Sequence, residues 1–262
     1  LGVQLLNRTT RRINLTDSGR QYYQQCVRLL AELEEAEQLV SSDHASLSGT
    51  IRIAAPLSFG ILHLSPVLDE FLQLHPDLNL DLDLDDRQVN LMNEAVDLGI
   101  RIGKLEDSSL IARRLAPAKR TLCASPDYLK RYGEPRHPEE LKHHQGLSYS
   151  NMPEGQLWQF MDSEGKLISV RVPFRMRANN GDVLQKAAID GLGILGTVNF
   201  MSYQVIEQGL LIPIMKNYLM PPANVYAIYP AQQHLPQKVR ALIDYLAQRF
   251  GDNPYWDQFS TQ

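Results

Sequence analysis

Cysteine is scarce: Cys26 and Cys123 are the only two in 262 residues. Two cysteines make no disulfide framework, so nothing here depends on an oxidising compartment. Long apolar runs are missing as well, since none approaches the ~18 residues that cross a bilayer. The chain also does not open with the charged, apolar and small-residue succession of a secretory leader. Together these absences point to the cytoplasm and to no membrane partner. Catalytic signatures are equally lacking: there is no G-x-S-x-G, no H-E-x-x-H and no C-x-x-C. His143 and His144 are adjacent, so on a helix they diverge by about 100° and do not share a metal ion easily. With His137 they read as surface residues of a polar loop. No enzyme activity, metal or cofactor is expected.

An excess of either charge is also absent. A net charge of −4 argues against a chain coated for nucleic acid. The charge is uneven, however. Residues 1–16 hold Arg8, Arg11 and Arg12 and no acid, whereas Glu32, Glu34, Glu35 and Glu37 crowd the stretch that follows. A basic end on an acidic body marks a local anionic partner. The opening "LGVQLLNRTT" has no initiator methionine and starts mid-pattern, as expected of a chain that continues upstream.

The stretch "RTTRRINLTDSG", residues 8–19, reads as strand, turn, strand and helix start. Thr16 is a good N-cap, and Asp17 in the first turn suits the helix dipole. No proline interrupts the chain from there to Val40, a helix of about 36 Å at 1.5 Å per residue. Its apolar positions are Tyr22, Cys26, Leu29, Leu33, Ala36 and Val40, spaced alternately by four and three. That is a heptad seam, which favours a dimerising helix over the alternative, a helix lying on its own domain. Thr9 and Thr10 lie among the arginines, and short hydroxyls beside arginines suit phosphate contact. Three such arginines would give a salt dependence of slope near −3, about 0.9 per phosphate. Arg8, Thr9, Thr10, Arg11 and Arg12 are therefore the DNA-binding candidates.

"LGVQLLNRTTRRINLTDSG" resembles the end of the winged helix-turn-helix of LysR-type transcriptional regulators. It enters their linker helix through the L-T-x-x-G signature, here Leu15, Thr16 and Gly19. The resemblance makes residues 1–15 a wing remnant, 16–47 the linker helix and 48–262 an effector-binding regulatory domain. Sequence readout of DNA would then lie upstream of Leu1.

Beyond a small-residue break at "LSGT", strands alternate with helices, the pattern of an α/β fold. "TIRIAAP" reads as a buried strand. "SFGILHLSPVLDEFLQLHP" reads as a helix capped by Ser58 and bent at Pro66. In "LNLDLDLDD", leucines take one face and Asn79, Asp81, Asp83 and Asp85 the other, a strand with a wet side rather than a metal site. "ARRLAPAKRTLCASP" suggests two strands around a turn, "VRVPFRMRANN" one strand, and "LPQKVRALIDYLAQRF" a final amphipathic helix. The glycines of "GLGILG" match G-x-G-x-x-G, but a helix precedes them and a strand follows. A dinucleotide site needs the reverse order.

"DLGIRIGKLEDSSLIARRLAPAKRTLCASPDYLKRYGEPRHPEEL", "GLGILG" and "VYAIYPAQQHLPQKVRALIDYL" extend the resemblance over nearly the whole chain. It implies two lobes like those of type 2 periplasmic binding proteins. Lobe I would span about 50–120 and 225–262, and lobe II about 121–224, with a small effector between them. Residue chemistry gives an independent pointer, because ligands settle beyond strand ends near helix N-termini. Ser58, Phe59 and Gly60 follow one strand; Thr197, Val198, Asn199 and Phe200 end another and open a helix. Arg87 and Arg101 add positive charge for an anionic effector. Val198 stands where the family commonly has proline, so the pocket carries over as a location and not as a chemistry. The expected protein is a homodimeric or homotetrameric regulator binding double-stranded DNA. The rival reading, a solute-binding receptor of a transport system, shares the lobes but calls for an export leader and no basic, coiled-coil front end.

Overall fold

The computed structural model describes the chain except residues 9–12, 24, 27–28, 31–32, 34–45, 88–95, 104–109, 152–156, 232–234 and 259–262. The first elements are a ribbon and a helix. Strand β1 (Leu6–Arg8) pairs antiparallel with β2 (Ile13–Leu15), with Leu6 opposite Leu15. Helix α1 follows, described over 17–23 and at further positions to Leu33.

The junction explains why threonine and glycine stand there. The Thr16 hydroxyl donates to the Gln4 carbonyl at 2.7 Å and accepts from the Gly19 N–H at 2.9 Å. It caps the helix and ties it to the chain entering the ribbon. Gly19 is buried against that same segment, and a Cβ on it would lie 1.8 Å from the Leu5 carbonyl oxygen. Backbone contact this close admits no side chain.

The rest forms two lobes, each on a five-stranded mixed sheet. Lobe I has strand order β4-β3-β5-β14-β6, from β3 (Gly49–Ala55), β4 (Leu78–Leu84), β5 (Leu98–Gly103), β6 (Leu110–Ala118) and β14 (Ala223–Pro230). β3 runs parallel to β4 and β5, and β14 antiparallel to β5 and β6. Lobe II has order β11-β8-β12-β7-β13, from β7 (Arg120–Ala124), β8 (Gly146–Tyr149), β11 (Phe174–Ala178), β12 (Ile194–Val198) and β13 (Ile212–Pro213). Here β11, β8 and β12 are parallel, β7 runs against them, and β13, antiparallel to β7, runs with them again. The antiparallel hairpin of β9 (Leu157–Met161) and β10 (Leu167–Arg171) is added to lobe II.

On lobe I, α2 (Leu57–Phe59) passes through a π-helical turn (Gly60–Leu64) into α3 (Ser65–Leu74). Pro66 stands at the start of α3, where its missing N–H costs least, and the wide π turn absorbs the register change. α3 and α7 (Gln237–Phe250) cover the sheet, with Val239, Leu242, Ile243 and Leu246 buried as their spacing requires. Phe59, Phe200, Phe250 and Trp256 pack edge-to-face or tilted at 5.2 to 6.4 Å in this core. Lobe II has two smaller clusters, one on each face of its sheet, around Phe160 with Tyr128 and around Leu184 with Leu147.

Several expectations need correction. Pro56 precedes the first helical residue, so Ser58 lies inside the first turn and is not the N-cap. "ARRLAPAKRTLCASP" is no hairpin, because β6 and β7 belong to different sheets with only Lys119 between them. "VRVPFRMRANN" is not one strand: Val172–Pro173 ends the hairpin, and β11 starts a pairing with β8. His144 is buried rather than on the surface, its Nδ1 3.2 Å from the Tyr128 hydroxyl. The alternation of β4 is as read, with Leu78 buried and Asn79, Asp81 and Asp83 exposed on an edge strand. Charged side chains on an edge discourage pairing with other chains.

Candidate functional site

A cavity of about 280 Å³ opens between the two sheets. A cavity of this size suits a small metabolite. Both lobes build it with the carboxyl ends of their strands, the position that open α/β sheets offer to ligands. From lobe I come Pro56 after β3, Asp85 and Asp86 after β4, and Arg101 near the end of β5; from lobe II come Tyr149, Thr197 and Val198. Phe59, Ile100, Leu195 and Phe200 supply apolar wall.

Seven of the nine residues expected to bind an effector line this cavity: Ser58, Phe59, Arg87, Arg101, Thr197, Val198 and Phe200. Gly60 and Asn199 do not. Gly60 faces the sheet, where a Cβ would meet Leu84 at 2.4 Å. Asn199 turns away from the cavity: its Oδ1 accepts from the Thr121 hydroxyl at 2.6 Å and its Nδ2 donates to Asp257 at 2.8 Å.

The polar lining is unevenly committed. Arg87 folds back on Asp85, with Nε and Nη2 donating to one carboxylate oxygen at 2.8 and 2.5 Å. The hydrogen bonds from Arg87 hold the Asp85 carboxyl below its ordinary range. The Arg101 side chain, by contrast, has no ion pair or hydrogen bond among the described residues. Arg120 opens β7 beside the same cavity.

At the opposite corner the lobes touch. The Ser58 hydroxyl donates to Asp182 Oδ2 at 2.7 Å, and Asn180 Nδ2 donates to Asp86 Oδ2 at 3.3 Å. Asn151 Nδ2 donates to the Asp86 carbonyl at 2.8 Å. Asp86 Oδ1 also accepts from Leu57 N–H at 3.0 Å, the first free donor of its helix. Burial raises the Asp86 carboxyl above its usual range, with Asp182 and Asp85 adding to the rise. Burial likewise pushes the Tyr149 hydroxyl up. Asp86, Arg120, Tyr149, Asn151 and Met201 line the cavity but were not singled out in the sequence. The rule that found Ser58, looking just past the carboxyl end of a strand, also applies to Asp86 after β4.

"GLGILG" is structural. Gly191 takes φ +74° after α5 (Gly181–Ile189), and Gly193 passes the Gln145 carbonyl, where a Cβ would stand 2.6 Å away. Strand β12 follows, so no helix N-terminus faces a phosphate. Among the described residues no cluster of His, Cys, Asp and Glu could hold a metal ion, and no helix is long and apolar enough to cross a membrane.

Of the DNA-binding candidates, Thr9, Thr10, Arg11 and Arg12 lie outside the described residues, and Arg8 ends β1. Of the seam, Tyr22, Leu29 and Leu33 are exposed, Cys26 is half-buried, and Ala36 and Val40 lie outside the described residues. Tyr23 and Leu30 are exposed beside them, so the apolar stripe is wider than a strict seam.

The family of the LysR substrate binding domain matches residues 44–251. An HTH-type transcriptional regulator of Haemophilus influenzae is 35% identical over 246 residues, covering 92% of this chain and 84% of its own. The regulator CrgA of Neisseria meningitidis (strain 8013) is 31% identical, covering 97% of this chain and 84% of its own. The full-length structure of the Vibrio cholerae virulence activator AphB, a member of the same family, is 32% identical with a TM-score of 0.69, covering 94% of this chain and 84% of that one. A CrgA structure reaches a TM-score of 0.70 at 29% identity, covering 96% of this chain and 85% of that one. The rival transport-receptor reading is not favoured by these relatives, which are named as regulators of transcription. From the ribbon and its Leu-Thr-x-x-Gly junction to the paired sheets and their cleft, the chain belongs to the LysR-type transcriptional regulators, with an effector-binding domain after its linker helix.

Proposed function

We propose that the cavity between the sheets binds a small effector carrying a negatively charged group, and that occupancy resets how the protein grips DNA. The observation that carries this reading is Arg101, whose half-buried side chain lines a largely apolar cleft and has no partner of its own among the described residues. A guanidinium drawn partly out of water favours a carboxylate or phosphate partner, and its planar fork suits either. Thr197 and Ser58 add hydroxyls, and Phe59, Val198 and Phe200 exclude water. Nothing in this arrangement calls for a catalytic group. Its output is a change in the geometry of two lobes that meet through polar contacts at the cleft and through Phe200 packed against Phe59 and Trp256.

The remaining parts follow in the same reading. The ribbon of Arg8, Thr9, Thr10, Arg11 and Arg12 contacts the phosphates of double-stranded DNA. Tyr22, Cys26, Leu29, Leu33, Ala36 and Val40 pair α1 with the same helix of a second copy, giving a dimer or a tetramer of cytoplasmic regulators. The division at about residues 15, 47, 120 and 224 into wing, linker and two lobes belongs to this proposal too.

A thermal-shift screen of carboxylates tests it on the wild-type chain and on Arg101→Ala. A charge-assisted hydrogen bond of about 1.5–3 kcal/mol means ~10- to 150-fold weaker binding in the variant. Ligands that shift both proteins equally would remove Arg101 from the site.

A further inference from the structure

Apart from the Arg87–Asp85 pair, the charged groups among the described residues at the cavity sort into two ends: Asp86, with the exposed Asp182 adjoining it through Ser58, and Arg101 with Arg120. Strand register sets the separation on lobe I. β3 lies between β4 and β5, with Ala55 opposite Leu84 and Ala54 opposite Gly99. Asp85 and Asp86 therefore leave the sheet on one side of Pro56 and Arg101 on the other, two strand spacings or about 10 Å apart. Asp182 of lobe II meets the acidic corner through Ser58, and Arg120 of lobe II lines the cavity with Arg101. Between the ends the walls are Phe59, Ile100, Leu195 and Val198.

The start of α2, where an anion would ordinarily settle, is already taken by the protein's own carboxylates. Leu57 N–H donates to Asp86, and the Ser58 hydroxyl to Asp182. A ligand carboxylate placed there would face both, and like charges about 4 Å apart repel by ~4 kcal/mol at an effective dielectric near 20. The same corner suits a cation. Asp86 and Asp182 retain acceptor lone pairs, since an ionised carboxylate offers about four.

We infer that the cleft takes a short aminocarboxylate, its ammonium between Asp86 and Asp182 and its carboxylate on Arg101 and Arg120. Such a molecule ties lobe I to lobe II at both ends, which a simple anion does not. This rests on the effector reading above and narrows it. The raised Asp86 carboxyl agrees: burial and the neighbouring acids make its charge costly until a cation arrives.

Calorimetric titration of the 262-residue chain with matched trios tests the inference, each trio sharing one carbon skeleton as ω-aminocarboxylate, carboxylate and amine. A skeleton series from glycine and acetate up to 6-aminohexanoate and hexanoate covers the size of the cavity. The expected result is at least ~10-fold tighter binding of an aminocarboxylate than of its carboxylate and its amine, about 1.4 kcal/mol. Asp86→Asn and the more exposed Asp182→Asn should each shrink that preference, and Arg101→Ala should weaken aminocarboxylate and carboxylate alike. A carboxylate that binds as tightly as its aminocarboxylate overturns the inference and leaves the anionic-effector reading standing. The inference falls in the same way if both asparagine variants keep the full preference. Binding by no member of any trio overturns both.

Discussion

In the two-lobed body, Phe59, Leu98, Leu242 and Trp256 have essentially no exposed surface, whereas along α1 Tyr22, Leu29 and Leu33 keep 45%, 62% and 55% of theirs. One chain thus buries apolar side chains completely in one region and presents them at heptad spacing in another. The body has a core of its own: its helices lie on its sheets and its lobes flank the cavity, although apolar side chains such as Ile61, Leu74 and Leu219 remain exposed on it. The rod differs. Isolated helices gain most of their stability from tertiary packing of an apolar face, and burying one leucine contributes ~1.5–3 kcal/mol. The contrast shows that the described part of α1 has no core of its own beneath its apolar stripe, which is what the proposed pairing would cover.

The largest expected effect tests the rod. Leu29→Asp with Leu33→Asp removes four apolar groups from a symmetric pair of helices, an upper bound of ~6–12 kcal/mol of association. Sedimentation should show the assembly dissociating while the denaturation midpoint of the body stays within about 0.5 kcal/mol of wild type. Unchanged assembly would break the comparison. A change in the body tests its other side. Phe59→Ala empties a fully buried ring position against Phe200, Phe250 and Trp256 and should cost ~3–5 kcal/mol in urea unfolding, with no direct effect on pairing through α1.

Smaller effects sharpen the picture at the junction and in the core. Thr16→Ala deletes both the cap and the tie to Gln4 and should destabilise the start of α1 by ~0.5–2 kcal/mol, read as faster amide exchange at Gly19 and Arg20. Acidification is expected to act through His63. Its Nε2–H donates to the Phe200 carbonyl at 2.9 Å, which leaves Nδ1 to accept from the Tyr255 hydroxyl at 2.5 Å. Burial lowers the His63 pKa below 6.5, and the Phe200 hydrogen bond offsets this in part. The unfolded chain therefore takes up a proton that the folded chain refuses. Stability from this group is complete above pH 6.5 and declines as pH falls below it, by less than about 1.4 kcal/mol per pH unit. His63→Gln should flatten that part of the profile. Asp86, Asp97 and Asp257, all raised by burial, act in the opposite sense from about pH 4 upward, and His144, lowered by burial, acts with His63, so the difference between wild type and His63→Gln isolates the His63 share.

Much of this was legible in the chain, and the reasons differ by element. Strand β4 and helix α7 follow a period that composition states directly, leucine against aspartate and one leucine-rich stripe. The ribbon and its Thr16 cap rest on short-range chemistry, which sequence also carries. The β9–β10 hairpin and the split at Val172–Pro173 did not show, because "VRVPFRMRA" looks continuous until β8 claims its second half as a partner. The site was half legible. Ser58, Arg101 and Thr197 follow from their places at or just past the carboxyl ends of strands, whereas Asn199 shares that place but is drawn away by Thr121 and Asp257, which are distant in sequence. The acidic corner was hidden for the same reason. Asp86 and Asp182 are nearly a hundred residues apart, and only the closing of two lobes brings them to one helix start.

The most direct test of the central claim is the affinity of the full-length protein for operator DNA, measured with and without an effector found by the thermal-shift screen. Linkage requires an effector that alters DNA affinity to bind with altered affinity to the DNA-bound protein, by the same factor. The account predicts a reciprocal shift that Arg101→Ala abolishes while DNA affinity without effector is kept. An Arg101→Ala protein that still responds at the same effector concentration would contradict it.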